Sequence, residues 1–414
     1  MNDKNVIVGL DIGTTKVCTV VAIQSGRPKE QDLEIIGVGT HPSHGLKKGS
    51  VVNIDKTVKS IKASLEEARL MSGVNINRAS IGVAGNHIYS FNSSGVVAIK
   101  GREIDSYDVK RVIEAAKAVV IPSDREILHV VPQSYKVDNI GGIKNPIGMC
   151  GVRLEAQVHV VTGSISLIQN LVKCVEHTGV TVSQITLQPI ASSRAVLTAE
   201  EKELGVVLVD IGGGTTDLAI WKNGSLIHSH IIPVGGNHFT NDLAVALQIP
   251  HTEAETIKVN HASVIPEGIS EQACITVQGL SGTKPREVRL QVVADVLGAR
   301  AEELFSIIKG IISEKGLTHQ VTGGYVLTGG GSLIKSISDL GEYILERPTK
   351  TGHPLSLGGM TNAMHSPKFS TVLGLLLEAK KNNVNYVESN RLRGQKDLIG
   401  RLSESLRSVF KEIF

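Results

Sequence analysis

Aromatic side chains make up only 3% of this 414-residue chain. The core must therefore be built from Val, Ile and Leu, which suits buried parallel strands in an α/β protein. Cysteine is sparser still: Cys18, Cys150, Cys174 and Cys274 stand far apart with no C-x-x-C pair. That argues against a zinc cluster and for a reduced, cytosolic setting. The pairs His41/His44 and His228/His230 have no carboxylate or cysteine partners nearby in sequence and read as loop or strand residues. The formal net charge of +3 is too small to imply a nucleic-acid partner, and no basic patch is interleaved with aromatics. No apolar run approaches the length of a membrane span. Strand-like sequence begins by residue 6, which leaves no room for a signal peptide. With 41% hydrophobic residues, the length suffices for two or more globular domains.

What the chain does have is one turn written twice. Asp11-Ile12-Gly13-Thr14-Thr15-Lys16 lies between the apolar runs Val6–Leu10 and Val17–Ala22. Asp210-Ile211-Gly212-Gly213-Gly214-Thr215-Thr216-Asp217 lies between Val206–Val209 and Leu218–Trp221. Each reads as a buried β-hairpin with a Gly/Thr tip, and the repetition suggests a duplicated domain with a ligand held between the tips. Glycine lets a ligand approach the main chain, successive N–H groups form a concave anion site, and the Thr hydroxyls add donors. The leading Asp residues would repel phosphate but suit a hydrated Mg²⁺, held through carboxylates, waters and phosphates. One copy would pass for an ordinary hairpin; two Asp-led copies point to Mg²⁺ with a polyphosphate. A third turn, Gly329-Gly330-Gly331-Ser332, follows the strand-like Tyr325–Thr328 and precedes a helical pattern from Leu333. It could lie against a flat ligand such as adenine. It lacks the Gly-Lys-Ser/Thr ending of a Walker loop, and no G-x-G-x-x-G opens a helix after the first strand.

These three turns resemble the two phosphate motifs and the adenosine motif of the actin, Hsp70 and sugar-kinase superfamily. The resemblance implies an α/β fold of two actin/Hsp70-like, ribonuclease H-like lobes around a nucleotide cleft, with ATP and Mg²⁺ as cofactors. Leu187-Gln188-Pro189-Ile190-Ala191-Ser192-Ser193 is similar to the first connecting helix, which makes Gln188 the residue that positions the attacking water. A Glu is common there in several relatives. Asp11 and Asp210 would position water or Mg²⁺, the metal being held through water. Val234–Phe239, with Gly235 and Gly236, resembles the loop that closes on ribose and phosphate. Ala254–Lys258 resembles the helix whose Glu255 and Lys258 face the nucleoside; on spacing alone that pair reads as a solvated helix face.

The periodicity divides the chain further. Residues 1–85 start the first lobe, with a helix capped by Asp55, carrying Val58, Ile61, Leu65 and Ala68, and stopped at Gly73. Residues 86–163 form an inserted α+β domain. Its strands are expected over Phe91–Ile99, Leu128–Val137, Val152–Leu154 and Gln157–Val161, with a helix capped by Asp105 or Ser106. Residues 164–203 continue the first lobe, opening with a helix over Ile165–Val175. The second lobe starts at 204–240, carries a small subdomain at 241–317, and ends at 318–379 with a return to the first lobe. Lys284, Arg286, Arg289 and Arg300 in the subdomain are a solvated basic face or a seat for an acidic peptide. Residues 380–397 are polar and Asn-rich and read as a flexible linker.

The inserted domain narrows the resemblance. His129-Val130-Val131-Pro132-Gln133-Ser134-Tyr135-Lys136-Val137-Asp138 and Asn145–Glu155 look like the signature of the FtsA family of actin-like bacterial division proteins. This implies ATP-dependent self-assembly and a peripheral location on the cytoplasmic face of the membrane at the septum. It also implies docking of the FtsZ C-terminal peptide on the 241–317 subdomain, and contact of the inserted domain with later division proteins.

The tail fits that picture. On a helix, Leu398, Ile399, Leu402, Leu406, Val409, Phe410, Ile413 and Phe414 share one side, flanked by Arg401, Arg407 and Lys411. Such a segment is too short and charged to span a bilayer but can lie on anionic lipid. Packing on the protein's own core or in a partner's groove are the other readings. A pilus or secretion adaptor with the same inserted domain is the rival function, and the amphipathic tail favours division. A metabolic kinase would need an acceptor pocket and a catalytic base, neither of which is identifiable.

Overall fold

The structure, a computed structural model, describes residues 6–25, 32–279 and 284–392. The first lobe opens with β1 (Val6–Ile12), β2 (Lys16–Ser25) and β3 (Asp32–Pro42), a tiny hairpin of β4 (Leu46–Lys47) and β5 (Ser50–Val51), then α1 (Ile54–Ser72) and β6 (Arg78–Val83). The insertion follows: β7 (Tyr89–Ala98), α2 (Ser106–Lys117), β8 (Arg125–Val137), β9 (Ile140–Ile143) and β10 (Arg153–Ser164). The lobe resumes with α3 (Ile165–Glu176) and β11 (Thr181–Leu187), and α4 (Gln188–Val196) with α5 (Ala199–Leu204) crosses to the second lobe. That lobe contains β12 (Val206–Ile211), β13 (Thr216–Lys222), β14 (Ser225–Ile232), α6 (Gly236–Ala246), α7 (His251–His261), β15 (Cys274–Val277), β16 (Arg286–Arg289), α8 (Leu290–Glu314), β17 (Tyr325–Thr328), α9 (Ile337–Leu345) and β18 (Thr349–Thr351). Finally α10 (Ser370–Leu392) returns to the first lobe.

The duplication suggested by the turns is a duplication of topology. The two large sheets run β3-β2-β1-β6-β11 and β14-β13-β12-β17-β18. In each, two antiparallel pairings are followed by two parallel ones. The inserted domain has its own four-stranded sheet, β7-β10-β8-β9, and its own core under α2.

A further core lies between the lobes. Ile7 and Val20 of the first sheet and Leu208 and Ala219 of the second pack with Ala195 of α4 and Val372, Leu373 and Leu376 of α10. The two crossing helices touch so closely that a Cβ on Gly374 would lie 1.8 Å from the Ala191 carbonyl oxygen. They therefore form a fixed axle beneath the two hairpin tips.

Four local expectations change. Asn53, not Asp55, caps α1, because its side chain accepts the Lys56 N–H; Asp55 sits in the first turn, where its charge favours the helix dipole. The two short strands expected over Val152–Val161 are one strand, β10, because it pairs without a break through Glu155 and Ala156 to both neighbours. The helix expected from Leu333 begins at Ile337, after a 3-10 turn over Gly330–Leu333. The polar stretch from 380 continues α10 to Leu392. No Pro or Gly interrupts the sequence between Gly374 and Gly394, and polar composition alone does not end a helix whose first turns are buried. The rest of the linker and the amphipathic segment 398–414 lie outside the described residues.

Candidate functional site

Both hairpin tips are closed by the same bond. Gly13 N–H donates to the Lys16 carbonyl and Gly212 N–H to the Thr215 carbonyl, each at 2.9 Å. The tips then meet. A Cβ on Gly213 would lie 2.4 Å from the Thr15 methyl, and one on Gly214 2.7 Å from the Thr14 hydroxyl. Glycine is thus needed in the second tip so that the threonines of the first can interdigitate with it. The N-terminus of α6 braces the second tip: Gly236 and Asn237 N–H groups donate to the Gly212 and Gly213 carbonyls at 2.8 Å.

A cavity of about 350 Å³ opens between the tips, large enough for a small-molecule ligand. Asp11, Gly13, Thr14, Thr15, Lys16, Gln188, Asp210, Gly212, Gly213, Gly214 and Thr215 line it, as do Gly236, Glu255, Lys258, Gly329, Gly330 and Gly331. Glu255 and Lys258, a solvated face on spacing alone, turn inward: Lys258 Nζ bonds the Gly236 carbonyl at 3.0 Å, Thr240 Oγ1 at 2.8 Å and Glu255 at 2.7 Å. Burial raises the Glu255 pKa, but hydrogen bonds from Lys258 and Thr240 outweigh it and hold the carboxyl below its ordinary range. Gly235 packs against the Gly212–Thr215 backbone rather than the cavity. Ser332 is buried, bonded to the Gly329 carbonyl at 2.8 Å, and does not line the cavity.

Three carboxyls stand at the cavity floor. Asp11 accepts from Gln188 Nε2 at 3.0 Å. Asp210 accepts from Ser192 on α4 and from Thr371 on α10, the latter at 3.2 Å, so one carboxylate ties both crossing helices to the second tip. Asp217, directly across the ladder from Asp210, is the acid that the sequence reading quoted in the motif but left out of the site. It lines the cavity, and its Oδ1 is buried without a partner. Burial pushes the Asp11 pKa up to about 6, with Lys16 lowering it and Asp210 adding to the rise. Burial also raises Asp210 and, joined by the charges of Asp210 and Asp11, raises Asp217 well above the usual carboxylate range.

Carboxyls held unhappily close, one of them with an orphaned oxygen, fit a site that takes a cation. Among the described residues no three His, Cys, Asp or Glu side chains converge as a direct ligand set. The arrangement therefore suits an ion held through water and ligand oxygens, as Mg²⁺ usually is. Other cavity residues had no sequence signal, because distant segments bring them in. Lys368 and Thr371 belong to the segment that opens α10, where Lys16 Nζ bonds the Lys368 carbonyl at 2.7 Å and sits 4.2 Å over the Phe369 ring.

The family model for the SHS2 domain inserted in FTSA matches residues 85–162, and that for cell division protein FtsA matches residues 207–374. The chain is 46% identical over 371 residues to the cell division protein FtsA of Pseudomonas aeruginosa, covering 90% of this chain and 88% of the relative. It is 43% identical to that of Borreliella burgdorferi, covering 99% and 100%, and 35% identical to that of Escherichia coli, covering 99% and 97%. The chain belongs to the FtsA family.

As an FtsA-family member it has the actin-like ATPase fold with an SHS2 insertion. Its fold is similar to that of a chain in the PilM-PilN type IV pilus biogenesis complex (TM-score 0.67, 15% identity, 90% of this chain and 98% of that one). It is similar to MreB5 of Spiroplasma citri bound to AMPPNP (TM-score 0.56, 16% identity, 94% and 99%). It is also similar to the MamK double helical filament (TM-score 0.51, 14% identity, 91% and 98%).

The basic residues of this FtsA-family chain do not form one free set. Arg300 holds Asp242 through Nε at 2.5 Å and Nη2 at 3.0 Å and also pairs with Glu303. Arg286 donates to the Leu247 carbonyl. Lys284 and Arg289 remain exposed. Spacing could not reveal this, because Asp242 lies on another helix. Among the described residues no helix is long and apolar enough to cross a membrane.

Proposed function

We infer that this division protein binds Mg-ATP between its lobes, self-assembles in that closed state, and ties the FtsZ ring to the inner face of the cytoplasmic membrane. One observation carries the nucleotide reading: the two identically closed tips meet over three buried carboxyls, one of which keeps an oxygen without a partner. Phosphates would lie against the tip N–H and Thr donors, and Mg²⁺ would supply the missing positive charge. Asp11, Asp210 and Asp217 would hold that ion through water. Gln188, bonded to Asp11, would orient a water, with Glu255 and Lys258 on the nucleoside side. The nucleotide-bound MreB5 and filamentous MamK structures share this fold and support the reading.

The FtsZ C-terminal peptide is assigned to the 241–317 subdomain, with Lys284 and Arg289 as its exposed cations, and later division proteins to the inserted domain. The segment 398–414 is assigned to anionic lipid; single tails bind reversibly, and tails arrayed on a polymer bind far more firmly through effective concentration. High identity to FtsA proteins over nearly the whole chain favours division over a pilus adaptor.

Titration calorimetry tests the nucleotide site. Asp210→Asn keeps an acceptor for Ser192 and Thr371 and should weaken Mg-ATP binding at least ten-fold. Unchanged affinity would detach the acid from the ligand.

A further inference from the structure

The His129–Asp138 segment lies on β8 up to Val137 and in the turn that follows, and nothing in the nucleotide reading uses it. Its side chains nevertheless reach both lobes. His129 Nε2 accepts the Leu187 N–H at 2.9 Å. Leu187 caps α4, and the next residue is Gln188, whose amide reaches Asp11. Two residues along β8, Val131 packs against the core between the lobes. Two further, Gln133 Nε2 donates to the Leu226 and Ile227 carbonyls of β14, each at 3.2 Å. Alternation in a strand places 129, 131 and 133 on one face.

The strand is shaped for this. Its pairing with β10 slips between Ser134 and Pro132, leaving Gln133 as the extra residue of a bulge. The buried positions change from Leu128 and Val130 before the bulge to Tyr135 and Val137 after it. β14 is the edge of the second-lobe sheet, and the inserted domain covers its backbone with polar side chains. Ser90 bonds the Ser229 carbonyl at 2.7 Å, Asn92 the Ile227 carbonyl at 3.2 Å, and Lys144 the Ser225 hydroxyl at 2.9 Å. Apart from Val131, the contacts across this seam named here are hydrogen bonds, so its opening exposes little apolar surface. His129 accepts through Nε2 only as neutral imidazole, and burial keeps it so, with a pKa near 4.

The geometry points to β8 as a strap between the lobes. His129 is a positioning residue for the Leu187–Gln188 corner of the cleft, and Gln133 holds the strap to the second lobe. Displacing the inserted domain therefore changes how long nucleotide stays bound. A partner that pulls on the inserted domain thereby acts on the cleft. The inference rests on the nucleotide reading above.

The test uses the full-length protein, Mg²⁺ and a fluorescent N-methylanthraniloyl ATP, chased with excess ATP. Gln133→Ala combined with the exposed Lys144→Ala loosens the second-lobe end without touching the cleft. It should speed release about three- to ten-fold. His129→Ala should do the same, and His129→Gln, whose side-chain carbonyl can accept the Leu187 N–H, should restore slow release. Release within two-fold of wild type in the double variant overturns the strap, as does a glutamine that rescues nothing. Wild-type protein that takes up no analogue refutes the nucleotide reading instead. The strap is then judged by hydrogen exchange at the Leu187 amide, which the double variant must accelerate and which, unchanged, overturns it.

Discussion

Asp11 offers a test in which stability and ligand binding move in opposite directions. Its pKa rises from 3.8 unfolded to about 6 folded, chiefly by burial, with Lys16 offsetting part of the rise and Asp210 adding to it. A gap of about 2 units corresponds to about 3 kcal/mol. Because the folded pKa is the higher one, protonation favours the fold. The stabilisation is complete below about pH 4 and is lost as pH rises through about 6. At pH 7.5 the ligand-free protein thus carries a charge that opposes its own folding. Asp11→Asn removes the charge and keeps an oxygen to accept the Gln188 amide. Ligand-free Asp11→Asn should melt above wild type by about 3–6 °C at pH 7.5, and the two curves should converge near pH 4. The same variant should lose Mg-ATP affinity in calorimetry. A ligand-free variant that melts at or below wild type at pH 7.5, or a gap that ignores pH, would refute the buried-charge argument.

The remaining predictions fall on packing, the seam and the tail. Gly374→Ala forces the crossing of α4 and α10 apart, because its Cβ would lie 1.8 Å from the Ala191 carbonyl oxygen. It should destabilise by 3 kcal/mol or more, about the upper range for single changes, in chemical melts; a loss below about 1 kcal/mol would contradict the axle. At the seam, burial lowers the His159 pKa to about 3, helped by His228, and lowers that of His228 to about 4, helped by Lys315 and His230. These folded values lie below the unfolded 6.5, so their stabilisation is full above pH 6.5 and fades as pH falls. At pH 5 each costs up to about 2 kcal/mol. Hydrogen exchange of β14 amides, corrected for intrinsic rates, should quicken between pH 7 and pH 5, less so in His159→Gln, where only His228 still titrates, and stay level when both are replaced by Gln. Reversing Arg289 to Glu should reduce capture of an FtsZ C-terminal peptide without lowering the melting temperature; equal capture would move the peptide elsewhere. Removing residues 398–414 should abolish cosedimentation with anionic liposomes and leave Mg-ATP affinity intact, and cosedimentation at full-length levels would end the anchor reading.

Both hairpins were legible in the sequence because their signal is local: an apolar run, an Asp, glycines, threonines and a second apolar run. The duplication of sheet order followed from finding that signal twice. Cap residues and strand breaks were less legible, because Asn53 and Asp55 compete for one helix start and Glu155 looks like an interruption until both neighbouring strands pair through it. What spacing could not supply were contacts between segments far apart in the sequence. The Lys16 bond to Lys368 and the bidentate hold of Arg300 on Asp242 leave no periodic trace.

The departure from perfect duplication explains more than the duplication does. In the first hairpin the residue across the ladder from Asp11 is Cys18; in the second, the one across from Asp210 is Asp217. Burial pushes the Cys18 thiol up to about 12, so it stays neutral and adds no charge. The second tip therefore carries two acids and three glycines, while the first carries one acid, two threonines that fill the second tip's glycine gaps, and Lys16. The lobes are similar as scaffolds but opposite as surfaces, one donating bulk and positive charge, the other space and negative charge. Two identical tips would have met with like charge against like and no room to close. The asymmetry interlocks the tips, threonines of the first in the glycine gaps of the second, and gathers two of the three cavity acids on the second.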